Sequence, residues 1–276
     1  MDTPAVGLNE NHTRVQVSYL PDTLRRQHDS MTTSSVHEPS CPTIFHVTHY
    51  KAGSQWVYAL LRSVAPERVV VPRPLSAHVR DDPIRLGSIY PTVYLPRPQF
   101  EKLELAGEWR SFTVIRDLRD TLVSLYFSIR YSHPDTDEAV ISIRNALMNR
   151  DQKQAMQWLL ENRFRGIAAI QRTWLPKSDL LVKYEELIRN EHACFKRIVD
   201  HCGIDVSRGT LKRAIQSVSF ESVSQRKKGE EDIYAHHRKG VAGDWRNHFD
   251  NELKEEFKSL YGDLLIEAGY EEDSRW

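Results

Sequence analysis

Between residues 42 and 276 the apolar positions switch repeatedly between short β-rich runs and longer stretches of helical spacing. Four runs read as strands: TIFHVT from Thr43, VYL around Val93, SFTVI from Ser111 and LLVKY from Leu180. Trp56, Val57, Leu60, Leu61 and Val64 keep helical spacing after the first run, and Leu122, Val123, Tyr126 and Phe127 do so after the third. Residues 153 to 174, 186 to 202 and 251 to 268 also read as helical. Strands alternating with helices predict an α/β fold, a three-layer domain with a central, mostly parallel sheet. Residues 1 to 40 are polar, with TTSS and no sustained period, and are expected to form a loosely attached extension to a domain spanning 41 to 276. The weakly periodic segment from Arg226 to Gly243, RKKGEEDIYAHHRKGVAG, predicts a long surface loop, a type of segment that often carries function.

Composition narrows the picture. With 38 basic and 38 acidic residues the formal net charge is zero. No global field draws the chain to nucleic acid or to an anionic membrane, so any anion site must be built locally. Cys41, Cys194 and Cys202 have no metal-ligand spacing and suit a reducing compartment. No apolar run has the length of a membrane span, and the first forty residues contain no signal-like core, which predicts a cytoplasmic protein.

Three stretches carry candidate chemistry. The first, HYKAGSQW, follows a predicted strand and leads into a predicted helix. Such a turn aims backbone N–H groups and the positive end of a helix at one point, and Lys51 adds a charge there. A plain strand-to-helix turn with a solvated lysine is the other reading of this stretch. The pattern is not GxxxxGK[ST], and Ala52 follows the lysine where a triphosphate kinase needs a metal-binding hydroxyl, which ranks a kinase last. The second stretch places Arg116 at a strand end and Ser124 eight positions later, about two helical turns on. A helix cap with exposed Arg-Asp pairs would also explain it. The third, RKGVAGDW from Arg238, offers a guanidinium fork before Gly240.

In this order the three stretches resemble the signatures of the cytosolic sulfotransferases. HYKAGSQW is similar to the family's YPKSGTTW, Arg116 and Ser124 match its arginine and serine, and RKGVAGDW matches RKGxxGDW in full. The resemblance implies transfer of a sulfuryl group from 3′-phosphoadenosine 5′-phosphosulfate (PAPS) to a hydroxyl or amine of a small organic acceptor. It also implies roles for individual residues. Lys51 would contact the donor's 5′-phosphate and bridging oxygen, and Ala52, Gly53, Ser54 and Gln55 would cradle that phosphate. Trp56 and Tyr184 would lie at the adenine, with Phe220 a weaker candidate. Arg116, Ser124, Arg238, Lys239 and Gly240 would bind the 3′-phosphate. Loose in-line transfer relies on positioning and charge stabilisation, and no clustered metal ligands are present to suggest a metal.

Two departures stand out. The family's catalytic histidine lies in KTHLP, whereas TVYLP, Thr92 to Pro96, puts Tyr94 in its place. A phenol of ordinary pKa ~10 is a poor base unless a cation such as Lys51 lowers it, so His49, two residues before Lys51, becomes the leading candidate, ahead of His78 and His46. A nucleotide-binding protein that has lost turnover is the alternative. The family's short dimer motif has a Thr-Val pair where this chain has Asp250 and Asn251, which leaves the oligomeric state open. Residues 66 to 100, 130 to 160 and 226 to 240 are expected to line the acceptor pocket, with Tyr90, Tyr131 and Trp158 as apolar lining.

Overall fold

A computed structural model describes residues 41–134 and 138–276; the predicted extension over residues 1 to 40 lies outside them. In chain order the elements are β1 (Thr43–Thr48), α1 (Ser54–Val64), α2 (Ala77–Arg80), β2 (Ile89–Val93), α3 (Arg97–Phe100), β3 (Trp109–Ile115) and α4 (Leu118–Phe127). They continue with α5 (Glu138–Met148), α6 (Gln152–Asn162), α7 (Phe164–Trp174), β4 (Leu181–Lys183), α8 (Tyr184–Arg189), α9 (Glu191–Cys202), α10 (Arg208–Ser217), α11 (Phe220–Ser224) and α12 (Asn251–Glu267).

The four strands form one parallel sheet in the order β2-β1-β3-β4. All six residues of β1 are buried, as expected for a strand paired on both edges and covered on both faces. Its alternating side chains separate two cores. Ile44 faces one side with Val57, Leu60 and Leu61 of α1, Phe195 and Ile198 of α9, and Leu211 of α10. Phe45 and Val47 face the other with Phe100 of α3 and with Ile170 and Trp174 of α7. A third cluster lies between helices, where Leu122 and Tyr126 of α4, Met156 and Leu159 of α6, and Phe257 and Leu264 of α12 pack together. The result is the three-layer α/β arrangement that the alternation of periods predicts.

Several boundaries differ from the sequence reading. The run at Val93 is the end of a strand that begins at Ile89 and includes Pro91. The helical stretch 153 to 174 is two helices that break at Arg163, where the backbone leaves helical geometry (φ −132°). Residues 186 to 202 are likewise two helices separated by Asn190, whose side chain caps α9 through Ala193 N–H. After Phe127 the chain widens into a π-helical turn at Ser128–Ser132, closed by a 2.7 Å bond from His133 N–H to the Ser128 carbonyl.

Candidate functional site

β1 ends at Thr48 and α1 starts at Ser54, so the intervening residues must reverse the chain quickly. The turn uses left-handed backbone at Lys51 (φ 69°) and Gly53 (φ 87°). For a residue with a Cβ that conformation costs roughly 1–2 kcal/mol, so the surroundings must hold Lys51 in place. They do so through Ala52 N–H, which donates to the His49 carbonyl at 3.3 Å, and through Trp56 and Val57 N–H groups on the Gly53 carbonyl. A Cβ on Gly53 would sit 2.9 Å from Tyr184 Cδ2, so only glycine lets the Tyr184 ring close against the loop. No side chain caps the N-terminus of α1, which leaves its first N–H groups for a ligand.

Arg116, buried at the end of β3, joins the three sequence motifs. Its guanidinium donates to the Lys51 carbonyl at 3.0 Å and to the Val241 carbonyl at 3.5 Å, and lies over the Tyr184 ring at 4.5 Å. Its Nε–H is buried with no partner. The late loop is fixed separately by Asp120 of α4, which accepts from Gly243 N–H at 2.6 Å and Trp245 N–H at 2.9 Å. Arg119 clamps the same Trp245 from the other side. It pairs with Asp117 and Glu271 and lies 3.9 Å from the Trp245 ring and 4.3 Å from that of Trp276. The GDW stretch is therefore a docking device for the loop that carries Arg238 and Lys239.

The charges in this cleft are unevenly paired. Burial pulls the Lys51 ammonium down to about 8, and the charges of Arg116 and Arg238 push in the same direction. Arg238 and Lys239 are held on carboxylates: Arg238 pairs with Glu231 and with Asp244 at 2.5 Å, and Lys239 with Asp244 at 2.7 Å. Arg238 also covers the Phe127 ring at 4.4 Å. No carboxylate pairs with Lys51 among the described residues. Gly240 (φ 66°) lets Phe220 close directly on the loop, since a Cβ there would fall 2.6 Å from Phe220 Cδ2. Phe220 thus reaches the cleft, as does Trp56, whose ring meets Tyr184 and Phe195 edge-on. Ser124 is half-buried on α4, two turns beyond Arg116.

The expected bases fare differently. His49 is fully buried and both ring nitrogens are engaged. Nδ1 lies 3.0 Å from the Tyr50 carbonyl, and Nε2 lies 3.0 Å from Gln171 Oε1 and 3.3 Å from the Arg116 backbone nitrogen. Desolvation by burial pulls its pKa to about 4, and both ring nitrogens are turned to protein groups instead of an acceptor. Tyr94 donates its hydroxyl to Ser54 Oγ at 2.8 Å and stacks on Tyr50 at 4.3 Å. Burial pushes its phenol up to about 12, and Lys51 does not lower it. Tyr94 therefore steadies the Lys51 loop through Ser54. His46 is buried against Phe112, and His78 Nδ1 accepts from Arg73 N–H at 3.1 Å. Tyr90, expected in the acceptor lining, is 1% exposed and stacks on Phe45 in the core.

The sequence reading passed over two residues, His236 and His237 of the late loop. Both imidazoles lie close enough to Lys51 for its charge to disfavour their protonation, though burial is the larger cause of the downward shift. The signal was in plain sight in AHHRKG, directly before the matched motif.

A parallel sheet whose central strand ends in a cationic strand-loop-helix, crossed by a second cationic loop, defines an α/β protein equipped to hold an anion at its strand ends. A sulfotransferase domain signature matches residues 96–269, and the chain belongs to the sulfotransferase family. The match takes in Arg116, Ser124, Tyr184 and Arg238–Gly240 and begins after Lys51 and Tyr94, where the chain departs from the family pattern. The chain is 25% identical to a guinea-pig (Cavia porcellus) 3-beta-hydroxysteroid sulfotransferase over 65% of its length and 63% of the relative's. It is 23% identical to a flavonol sulfotransferase-like protein of Flaveria bidentis, over 64% and 60% respectively. It thus spans less than two thirds of either relative. A mouse sulfotransferase solved in complex with PAP shares the fold at a TM-score of 0.60 and 18% identity, covering 85% of this chain and 90% of that one.

Proposed function

We propose that the protein transfers a sulfuryl group from PAPS to a hydroxyl or amine of a small organic acceptor. The observation that carries this reading is Lys51, a lysine held in strained backbone beside Arg116 and Arg238, with only like charges acting on its ammonium. Such a cluster is electrostatically incomplete without an anion, and the partnerless buried Nε–H of Arg116 is a donor already desolvated for one. The residues present therefore fit a nucleotide with two phosphate groups.

When bound, the donor supplies an activated sulfuryl group on its 5′-phosphate. In this reading Lys51, the loop Ala52–Gln55 and the uncapped start of α1 hold that phosphate, and Lys51 stabilises the charge that develops as the sulfur–oxygen bond breaks. Arg116, Ser124, Arg238, Lys239 and Gly240 hold the 3′-phosphate, which takes the place of Glu231 on Arg238 while Asp244 keeps both cations oriented. Trp56, Tyr184 and Phe220 flank the adenine. Tyr94, in the position of the family's histidine, favours a second reading in which the donor site is kept and turnover is lost, because its hydroxyl is committed to Ser54.

Calorimetric titration with 3′,5′-adenosine bisphosphate (PAP) and with adenosine 5′-monophosphate tests the donor site. We expect PAP to bind more tightly, and Arg116→Ala to lose that preference by roughly 10- to 100-fold, the worth of a charge-assisted contact. Equal affinity for the two nucleotides in the parent protein would sink the assignment. Transfer of label from PAPS to acceptors separates the active reading from the impaired one.

A further inference from the structure

We propose that His236 is the general base of the reaction, moved from the loop after β2 to the loop that also carries the 3′-phosphate cations; this rests on the sulfotransferase reading above. Two lines of geometry support it.

The first is elimination. Among the described residues, His46 and His49 are fully buried, and His78 is buried with Nδ1 on Arg73 N–H. His201 Nε2 meets the Ser111 carbonyl at 2.8 Å, and His248 lies between Gln152 and Asp244. His133 turns Nδ1 to the Pro134 carbonyl, and His192 is exposed on α9, on the far side of the core that α1 shares. Tyr94 is a donor to Ser54. The rings of His236 and His237 make no hydrogen bond within the described residues and meet only each other, with centroids 5.1 Å apart at 89°. Of the two, His236 is the more accessible residue at the rim of the cleft and His237 is half-buried.

The second is placement. Gly229 N–H donates to the Lys239 carbonyl at 2.8 Å and Asp232 N–H to the Arg238 carbonyl at 3.0 Å, closing residues 229 to 239 into a buckle. The Arg226 guanidinium spans it, donating to the carbonyls of Glu230, His237 and Arg238. Tyr234 meets Tyr131 of the π-helical turn at 5.8 Å. Arg116 then ties Val241, at the foot of the buckle, to the Lys51 carbonyl. The buckle is thus tied at its foot to the Lys51 loop through Arg116, and near its tip to Tyr131 of the expected acceptor wall through Tyr234.

Desolvation, Lys51, His237 and His133 all press the His236 imidazole toward its neutral form, which is the form a base needs, while Lys51 and Arg226 act likewise on His237. An anionic donor on Lys51 offsets the cation and returns basicity to His236 when the donor is in place. The acceptor O–H proton then passes to a ring nitrogen of His236 as the acceptor oxygen bonds to sulfur. The sulfur–oxygen bond to the 5′-phosphate breaks, and its electron pair leaves with that phosphate, beside Lys51.

The test uses His236→Gln and His237→Gln with a series of phenols running from phenol to the more acidic 4-nitrophenol, assayed at a pH where 4-nitrophenol is mostly ionised and phenol is not. For His236→Gln we expect kcat to fall about 100-fold or more with phenol. The loss should shrink towards 4-nitrophenol, with PAP affinity by calorimetry unchanged. His237→Gln should change little. An equal loss across the series, or a His236→Gln variant that keeps more than a third of its activity on phenol, overturns the proposal. NMR of the His236 ring gives a readout independent of any acceptor: its pKa should rise when PAP binds, and an unchanged value also overturns the proposal. Failure of the parent protein to bind PAP would instead remove the donor site on which the proposal rests.

Discussion

Lys51→Met should make the unliganded protein more stable while weakening its donor site. The ammonium is held at about 8 in the fold against an ordinary 10.5. A difference of that size corresponds to ~3 kcal/mol of disfavoured charge, and partial exposure of Lys51 to solvent reduces it to about 2 kcal/mol. Methionine keeps most of the aliphatic stem and removes the charge. The sign follows from linkage. Below pH ~8 the ammonium is charged in both folded and unfolded chains, so the wild type bears the full penalty; between pH ~8 and ~10.5 the folded lysine is neutral while the unfolded one is still protonated, and the penalty fades. Urea unfolding of both proteins at pH 6.5 and near pH 10.5 should therefore show Lys51→Met more stable by about 2 kcal/mol at the lower pH and nearly equal at the higher. Other groups titrate in this range but do so in both proteins and cancel in the difference. Saturating PAP should reverse the order at pH 6.5, because only the wild type gains from the anion. A variant less stable than wild type at pH 6.5 without ligand would refute the picture of Lys51 as an electrostatically frustrated cation.

Gly240→Ala must place a Cβ 2.6 Å from Phe220 Cδ2 at φ 66°, and should cost about 2 kcal/mol or more by thermal or urea unfolding. Adding Phe220→Ala should relieve the clash and leave only the backbone cost; no recovery would place the strain elsewhere. Burial alone would raise the Asp244 carboxyl, yet the bonds from His248, Lys239, Arg238 and Asn247 outweigh it and hold the group far below the ordinary carboxylate range. Its contribution to stability is therefore complete above pH ~4 and is lost as the pH falls through the native value. Asp244→Asn should destabilise the protein by roughly 3 kcal/mol at pH 7, because it removes the buried carboxylate that Arg238 and Lys239 share and leaves them only Glu231, and should flatten the acid dependence of unfolding below pH ~4. An undiminished acid slope in that variant would assign the pH dependence to other carboxylates.

The features legible in sequence were those that local pattern controls. TIFHVT reads as a strand, and the helices between the strands point to the parallel sheet that forms. The strand-to-helix turn at Lys51 and the RKG loop declared themselves through Gly53 and Gly240, where close approach of the Tyr184 and Phe220 rings leaves no room for a Cβ. What sequence hid were contacts between distant segments. Nothing near His49 in the chain announces Gln171, 122 positions away, or the Arg116 N–H, both of which lie against its Nε2. Tyr94 is a parallel case: the proximity of a lysine to a phenol says nothing of burial, and burial raises its pKa. The stretch inferred as helical over 153 to 174 is interrupted by the backbone at Arg163, which no apolar period marks.

A chain with no net charge has to make an anion site by segregating its charges. The sequence achieves this at two depths. Asp117, Asp120 and Glu185 lie behind Arg116 and are spent on structure: Asp117 on Arg119, Asp120 on the backbone of the GDW stretch, Glu185 on the Asp117 N–H and the Tyr270 hydroxyl. Their charge steadies Arg116 from a distance without covering its inner donor. Asp244 works at closer range and fixes Arg238 and Lys239 in one orientation. Lys51 alone is left facing other cations. The carboxylates thus aim the cations more than they neutralise them, and the cleft lysine that no carboxylate pairs with among the described residues lies between the end of β1 and the start of α1. In the proposed reading, donor binding and the readiness of the base are two consequences of that same lysine, and a single substitution at Lys51 should move stability, nucleotide affinity and the titration of His236 together.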